Sequence, residues 1–479
     1  MPKILIVGGG YAGFYTAWKL QKRLRRREAE VVLVDPQSSM TYQPFLPEVA
    51  AGSIEPRHAV VAHRRHLRRT RLVSARVTAV DPVAKRATLT PAVGEPWDED
   101  YDILVVTAGS VTRTFPIPGV ADTAIGMKTI EEAISVRDRL IANFERAATM
   151  ADSPEKRRLL NVTVVGGGFA GVETIGELRS FASYLIRRFP TISFEETGFH
   201  LVEAMGRIMP EVSQKSAEWV VGHLERRGVD VHLNASLSSA ADGVIELADG
   251  TRFETDLLIW TAGVMAHPTA KGFGLPMDER GRVRASATLQ VVTDDGEVVE
   301  GVWAAGDVAA VPDLTGGGVG GYCVPNAQHA VRQAKRMAKN IVGVLRGDAP
   351  KEYIHKNAGA VAGLGVGYGV MQSGGFAMRG WLAWLAHRGY HGLAMPTWER
   401  KFRVFGDWAG GFFLRRDIVG LPTGGPRAAF AEYAVRPAAS AQQAAPAAAS
   451  AAKVTPTALS EKAPAKPRAR KSAKAESAS

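Results

Sequence analysis

Two glycine triplets stand at the spacing that lets a backbone approach a phosphate. Gly8, Gly10 and Gly13 lie in "ILIVGGGYAG", and Gly166, Gly168 and Gly171 lie in "VTVVGGGFAG". In a G-x-G-x-x-G turn the missing side chains admit a pyrophosphate, and the N-terminal end of the following helix meets its charge. An acidic residue follows each triplet: Asp35 in "AEVVLVDP", 22 residues past Gly13, and Glu203 in "GFHLVEAMGR", 32 residues past Gly171. A carboxylate at that place accepts hydrogen bonds from a ribose diol. In the second copy it favours the 2′-hydroxyl of NAD over the extra phosphate of NADP, with Arg207 nearby working against that preference.

Such residues need particular elements to hold them. Each triplet requires an apolar strand before it, a helix after it and a second strand ending in the acid, so two βαβ units are predicted. The longer second gap predicts an extended helix or loop around "SYLIRRFPTI". A further repeat, "YDILVVTAGS" (101–110) and "TDLLIWTAGV" (255–264), places Gly109 and Gly263 at the ends of two buried strands, 96 and 92 residues past their triplets. The fold class is therefore α/β with two Rossmann-like dinucleotide-binding domains. One nucleotide needs only one of them; two imply a flavin in one and reduced nicotinamide at the other, hence electron transfer. "VWAAGDVA" (302–309), with Gly306 and Asp307, supplies a carboxylate for ribityl and pyrophosphate groups and gives the flavin to the first domain, which the second interrupts.

Composition narrows the class. With 479 residues, 46% of them hydrophobic, the chain can bury two or three domains. No stretch reads as a secretory signal, and no run approaches the ~18 apolar residues of a spanning helix. Membrane contact, if any, is expected from the surface. Cys323 is the single cysteine, which excludes a disulfide framework and fits a reducing cytosol. The net charge of +11 is partly a tail effect: from Pro437 onward the Ala/Pro/Ser-rich segment carries seven Lys/Arg against two Glu and reads as disordered. The basic clusters at 22–27 and 64–71 read as solvated helix faces, so no nucleic-acid partner and no metal site are expected.

At this point residues 3–436 look like the type II NADH dehydrogenases, the non-pumping NADH:quinone oxidoreductases. "TYQPFLPEVAAG" (41–52), with Gln43 and Pro44, resembles the family's flavin-side segment. "GFAGVE" puts Glu173 on the family's acidic residue beside the nicotinamide and flavin rings, and "NAQHAVRQ" (326–333) carries Ala327 and Gln328. The resemblance implies FAD as cofactor, NADH as substrate and a quinone of the menaquinone or ubiquinone type as acceptor. Glu173 is expected on the first turn of its helix, and Ala327 and Gln328 are expected to turn free N–H groups toward the flavin. The family's quinone site typically carries a second glutamine where this chain has Arg332. Gln333 is one residue, about 100° of helix, out of place, so Arg332 is expected to face the acceptor. Lys356 resembles the family's lysine ahead of the C-terminal region, at a longer spacing. His329 reads as a satisfied polar residue and Cys323 as an inert thiol. Relatives that need reactive cysteines at the flavin, such as disulfide and sulfide:quinone reductases, do not fit, because no cysteine precedes Cys323.

The expected organisation is an FAD domain (1–125 and 281–355), an NADH domain (126–280), a C-terminal membrane-associating region (356–436) and the disordered tail (437–479). The C-terminal region clusters Trp381, Trp384, Trp398, Trp408, Phe412 and Phe413 with Arg379, Arg388, Arg400, Lys401, Arg415 and Arg416. Aromatic-plus-basic helices of this kind lie in a bilayer interface, which predicts a peripheral protein on the cytoplasmic face of the cell membrane. A homodimer contact or a cap on the core is the alternative use of the same residues. A reductase of ferredoxin or rubredoxin, and a slow-turnover nucleotide-dependent binding flavoprotein, remain the alternative functions.

Overall fold

The runs Ile4–Val7, Val31–Val34 and Leu104–Val106 are apolar without alternation, the pattern of strands covered on both faces, and all are buried. In the computed structural model, which describes residues 1–355 and 359–420, they form the middle of a six-stranded sheet. Its spatial order is Gln290–Val292, Val298–Ala304, Ile103–Val106, Lys3–Val7, Glu30–Val34, Arg71–Val73. All neighbours are parallel except the edge pair of Gln290–Val292 with Val298–Ala304. The register Ile4↔Val31 and Ile4↔Ile103 brings the C-terminal ends of the strands to one edge, where α/β sheets bind ligands. Helix α1 (Tyr11–Arg23) follows the first strand, and the short helix α2 (Leu46–Ala50) follows Gln43 and Pro44. This sheet thus takes its strands from both sides of a long insertion.

The insertion forms a second, five-stranded parallel sheet in the order Ile125–Gly126, Leu257–Trp260, Val162–Val165, Phe199–Val202, Asp230–His232. Helix α3 (Phe169–Ile186) follows the second glycine triplet; at 18 residues against 13 for α1, it takes up part of the longer gap to Glu203, and turns at 190–198 take up the rest. The two modules are tied where their T-A-G turns emerge: Ser110–Thr112 pairs antiparallel with Val264–Ala266. Helix α4 (Ala327–Leu345) returns to the first module and packs along α1.

The two glycine turns repeat one piece of stereochemistry. The Thr107 hydroxyl donates to the carbonyls of Val7 (2.8 Å) and Gly8 (3.0 Å), and the Thr261 hydroxyl donates to those of Val165 (2.9 Å) and Gly166 (3.1 Å). A Cβ on Gly13 would lie 1.7 Å from the Gly8 carbonyl oxygen, and one on Gly171 would lie 1.8 Å from that of Gly166. The third glycine of each triplet is therefore required for helix-on-strand approach, and the T-A-G threonine locks the same contact from the other side.

The C-terminal region departs from the sequence expectation. A three-stranded antiparallel sheet, Ala360–Gly363, Gly369–Ser373 and Phe376–Arg379, precedes helices α5 (Trp381–Ala394) and α6 (Trp398–Phe413). "GGFAMR" is therefore hairpin, not helix, because Gly374 and Gly375 make its turn. Of the aromatic-plus-basic cluster, Trp381, Trp398, Phe412 and Phe413 are well exposed (61–83%). Trp408, Arg388 and Arg416 instead turn inward onto carboxylates, since burial demands a counter-charge or hydrogen bond for each. Lys356 and the expected disordered tail lie outside the described residues. Among the described residues, no helix is long and apolar enough to cross a membrane.

The glycine contacts yield a paired prediction. Gly13→Ala should destabilise the protein by about 3 kcal/mol and abolish flavin retention. Gly10→Ala, whose Cβ meets nothing within 4 Å, should melt with the wild type yet hold flavin more weakly. Thermal melts with and without added FAD check both; equal melting of the two variants would contradict the packing argument.

Candidate active site

The first glycine turn opens on a cavity of about 350 Å³ lined by Gly8, Gly10, Asp35, Gly109, Gly306 and Asp307, with Gln43 and Ala327 at its side. α1 carries no acid in its first turn, so its N-terminal N–H groups face the cavity unopposed. Asp35 accepts from the Gly9 N–H and, at 2.6 Å, from the Gln37 N–H. His63 Nε2 lies 2.8 Å from the Gly9 carbonyl. On the far side Asp307 accepts from the Ser110 hydroxyl (2.6 Å), and Lys128 Nζ donates to that hydroxyl (2.6 Å). Burial pushes the Lys128 ammonium down against the pull of Asp307 and Glu132. The open Gly10, the closed Gly13, the helix end and the two carboxylates fit a dinucleotide such as FAD. His63, Ser110 and Lys128 escaped the sequence reading, because no spacing rule ties them to the glycine motif.

The second turn has the same construction. Glu203 accepts from the N–H groups of Gly167 (2.6 Å) and Met205 (2.8 Å), and a Cβ on Gly168 would meet open space. Arg207 does not reach toward Glu203 as a phosphate ligand would; its guanidinium donates to the Val212 carbonyl at 2.6 Å. Gly263, at the end of its T-A-G strand, has a positive φ of 100° and likewise opens to free space.

Between the two turns lies a cavity of about 740 Å³. The first module contributes Gln43, Pro44, Ala327, Gln328 and Arg332 to its walls, and α3 contributes Glu173. Glu173 is the fifth residue of α3, at the start of its second turn rather than in its first, because the helix already begins at Phe169, two residues ahead of Gly171. Its Oε1 accepts from the Gly363 N–H and pairs with His387 Nε2, both at 3.0 Å. Burial opposes a charge on His387, but the carboxylates of Glu173, Glu48 and Glu177 outweigh it and raise the imidazole above its ordinary 6.5. One turn on, His391 is held well below 6.5 by burial and by His387, and its Nδ1 lies 3.2 Å from the Tyr42 hydroxyl. Two imidazoles shifted in opposite directions, His387 toward the protonated form and His391 toward the neutral one, thus stand between Glu173 and Tyr42. The i, i+4 spacing of His387 and His391 in "WLAWLAHRGYHGLA" was a legible sign that both share a helix face.

α4 starts at this cavity. Asn326 caps it, accepting from the His329 N–H at 2.8 Å, so the N–H groups of Ala327 and Gln328 sit in the first turn, ahead of any intrahelical acceptor. Arg332 Nη1 donates to the Gln328 carbonyl (3.2 Å) and lines the cavity. Gln333 is turned away and buried, its Oε1 accepting from the Gly306 N–H at 2.8 Å. His329 bonds the Tyr353 hydroxyl at 2.9 Å. Cys323 is buried, its thiol pushed up to about 11 by burial, and lies 3.7 Å from the Pro312 carbonyl. Among the described residues no cluster of His, Cys, Asp and Glu could hold a metal ion.

Comparisons with known proteins agree with this arrangement. The model of the pyridine nucleotide-disulphide oxidoreductases matches residues 2–334. A "Probable NADH dehydrogenase" of Dictyostelium discoideum is 28% identical over 87% of this chain and 90% of its own. A type II NADH:quinone oxidoreductase of Mycobacterium tuberculosis is 28% identical over 86% and 89%. The solved structure of NDH2 from Plasmodium falciparum in complex with NADH superposes with a TM-score of 0.79 at 19% identity, covering 87% of this chain and 99% of that one. A buried lone thiol cannot act as the redox dithiol that the family is named for, yet fold and glycine turns are shared throughout residues 2–334. The chain belongs to the pyridine nucleotide-disulphide oxidoreductase family.

Proposed function

We propose that the protein is an FAD-dependent NADH:quinone oxidoreductase of type II, working without proton pumping. The observation that carries this reading is the convergence of both glycine-turn modules on one cavity, into which Glu173, Gln328 and Arg332 all face. FAD bound at the first turn supplies a carrier that takes hydride and releases electrons. The N-terminal N–H groups of α1 meet the pyrophosphate, Asp35 accepts from the ribose hydroxyls, and Asp307 with Ser110 and Lys128 holds the chain between phosphate and ring. Glu203 accepts from the nicotinamide nucleotide's ribose and repels a 2′-phosphate. The N–H groups of Ala327 and Gln328 at the start of α4 favour negative charge at that edge of the cavity. His387, its imidazole raised by the carboxylates around it, can hold a proton at the wall beside Glu173, and His391 bonds the Tyr42 hydroxyl. Arg332, standing where the family resemblance expects a glutamine, favours an acceptor that becomes anionic on reduction. A menaquinone or ubiquinone has that property.

The site of action in this reading is the cytoplasmic face of the cell membrane. Trp381, Trp398, Phe402, Phe412 and Phe413 turn large apolar surfaces outward from α5 and α6, the arrangement of an interfacial helix pair. A second copy is the competing occupant of this face, and a doubled mass in detergent-free sedimentation would reveal such a homodimer.

Anaerobic stopped-flow mixing tests the reaction. NADH should bleach the bound flavin at least about tenfold faster than NADPH, and a short-chain menaquinone should restore it. Equal bleaching by both nucleotides would remove the role of Glu203; no bleaching by either would overturn the proposed function.

His387 gives a pH dependence with a definite sign. Its folded-state value lies above 6.5, so its pairing with Glu173 contributes fully below about 6.5 and is lost as pH rises through the raised value. Glu48, Glu177, Arg388 and His391 also surround it. Reoxidation by quinone should therefore slow by about tenfold or more as pH rises above that value, and His387→Gln should flatten the profile. A profile unchanged by that substitution would contradict the assignment.

Membrane contact is tested by Phe412→Ser with Phe413→Ser, which keeps the cavity intact. Losing two interfacial rings at roughly 1.5 kcal/mol each should lower partitioning onto anionic phosphatidylglycerol vesicles by on the order of a hundredfold. An unchanged pellet fraction would refute the interfacial placement.

A further inference from the structure

One buried carboxylate lines neither cavity, yet its charge is among those that raise His387. Glu48, on the five-residue helix α2 directly after Gln43 and Pro44, is 2% exposed. Its Oε2 accepts from Arg388 Nη2 on α5 and from Trp408 Nε1 on α6, both at 2.8 Å. The Arg388 guanidinium lies between two indoles, 4.4 Å from the Trp384 ring and 5.0 Å from that of Trp408. One carboxylate thus engages both C-terminal helices at once.

The residues just before Glu48 touch the same helix at the reacting end. Tyr42 bonds His391, and Phe45 packs edge-on against both His391 (6.2 Å) and Trp408 (5.8 Å). Segment 42–48 therefore reaches α5 at two points: Tyr42 and Phe45 at His391, and Glu48 at Arg388. His387 is the immediate neighbour of Arg388 and must present its Nε2 to Glu173. A helix held at Arg388 cannot rotate about its axis without withdrawing His387 from Glu173 and His391 from Tyr42.

We propose that Glu48 is a positioning residue for the acceptor side of the reaction: by holding Arg388 and Trp408 it fixes the face of α5 that presents His387 and His391 to the cavity. The inference rests on the assignment of that cavity to the electron acceptor. A carboxylate is required because Arg388, its side chain only 13% exposed, brings a full positive charge that needs a counter-charge there. An amide matches the shape of the side chain but not the charge. The nucleotide's own anchor points are held separately, since Glu203 accepts from the Gly167 and Met205 N–H groups on the second module's sheet edge and bonds none of Glu48, Arg388 and Trp408.

Glu48→Gln tests it in two half-reactions. The variant is expected to keep its FAD and to be bleached by NADH within twofold of wild type. Reoxidation by a short-chain menaquinone should be slowed at least tenfold, with a raised KM for quinone and an unchanged KM for NADH. Trp408→Phe, which keeps the ring and removes one donor, should show the same split at smaller size, and it decides the matter if Glu48→Gln fails to fold. Reoxidation at the wild-type rate overturns the proposal, and so does a parallel loss of FAD and of both half-reactions, which would mark a general structural role. Leu393→Trp, at the cavity mouth and away from Glu48, separates the two claims. If it leaves reoxidation unchanged, the cavity assignment fails; if it slows reoxidation while Glu48→Gln does not, only the role of Glu48 fails.

Discussion

A carboxylate taken out of water needs a counter-charge, and behind the wall of the larger cavity there are three: Glu48, Glu173 and Glu177, all buried. The matching cations come from the C-terminal region. His387 pairs with Glu173 (3.0 Å), Arg388 with Glu48 (2.8 Å) and Arg416 with Glu177 (3.5 Å). Burial and the nearness of Glu48 push the Glu177 carboxyl up, against the pull of Arg416. The core of the two-module fold and the helices after it are therefore joined by charge as well as by packing. Removing one partner strands another in a dry place, typically at a cost of about 3 kcal/mol or more.

The duplicated modules solve a different problem by one device. Each must bring a helix against its strand within the reach of a carbonyl oxygen, and each uses a glycine and a threonine to do so: Gly13 with Thr107, and Gly171 with Thr261. Because the closure is the same, the two turns open in the same sense relative to their sheets. The antiparallel link between Ser110–Thr112 and Val264–Ala266 then aims both at a common space. The modules diverge only beyond the turns. α1 leads to a cleft closed by Asp307 and Lys128, whereas α3 carries Glu173 one turn further in, at the wall of the shared cavity.

The parts of this arrangement that repeat were legible in the sequence, since a period and an offset specify them without knowledge of the partner. Glycine triplets, the acids after the second strands and the T-A-G turns all belong to that group. The resemblance led to Glu173, Gln328 and Arg332, and a one-residue helical offset turned Gln333 away from them, where it accepts from the Gly306 N–H. The contacts of Lys128 with Ser110, of His387 with Glu173 and of Glu48 with Arg388 and Trp408 were hidden for one reason: each pairs residues 18 to 360 positions apart through tertiary packing. The C-terminal aromatics were read as one exposed face, but a helix has two. Trp408 and Arg388 are the same residue types as the exposed Trp398 and Arg415, and nothing separates them until the positions of Glu48 and its neighbours are known.

That two-sidedness matters for an amphiphilic acceptor. Leu393 on α5 is 63% exposed and also lines the cavity, so the outer apolar surface of the helix pair continues into the wall on which His391 and Tyr390 stand. In the proposed reading, a lipid-dissolved quinone meets apolar side chains along this edge, and the charged groups lie only at its inner end. In the same reading the nicotinamide nucleotide, polar and water-borne, is received on the other module by backbone N–H groups and Glu203. The division arises from placing one helix, α5, between an exposed apolar surface and a buried charge cluster. Its outer face suits a lipid-borne acceptor, and its inner face holds the two imidazoles that such an acceptor would meet.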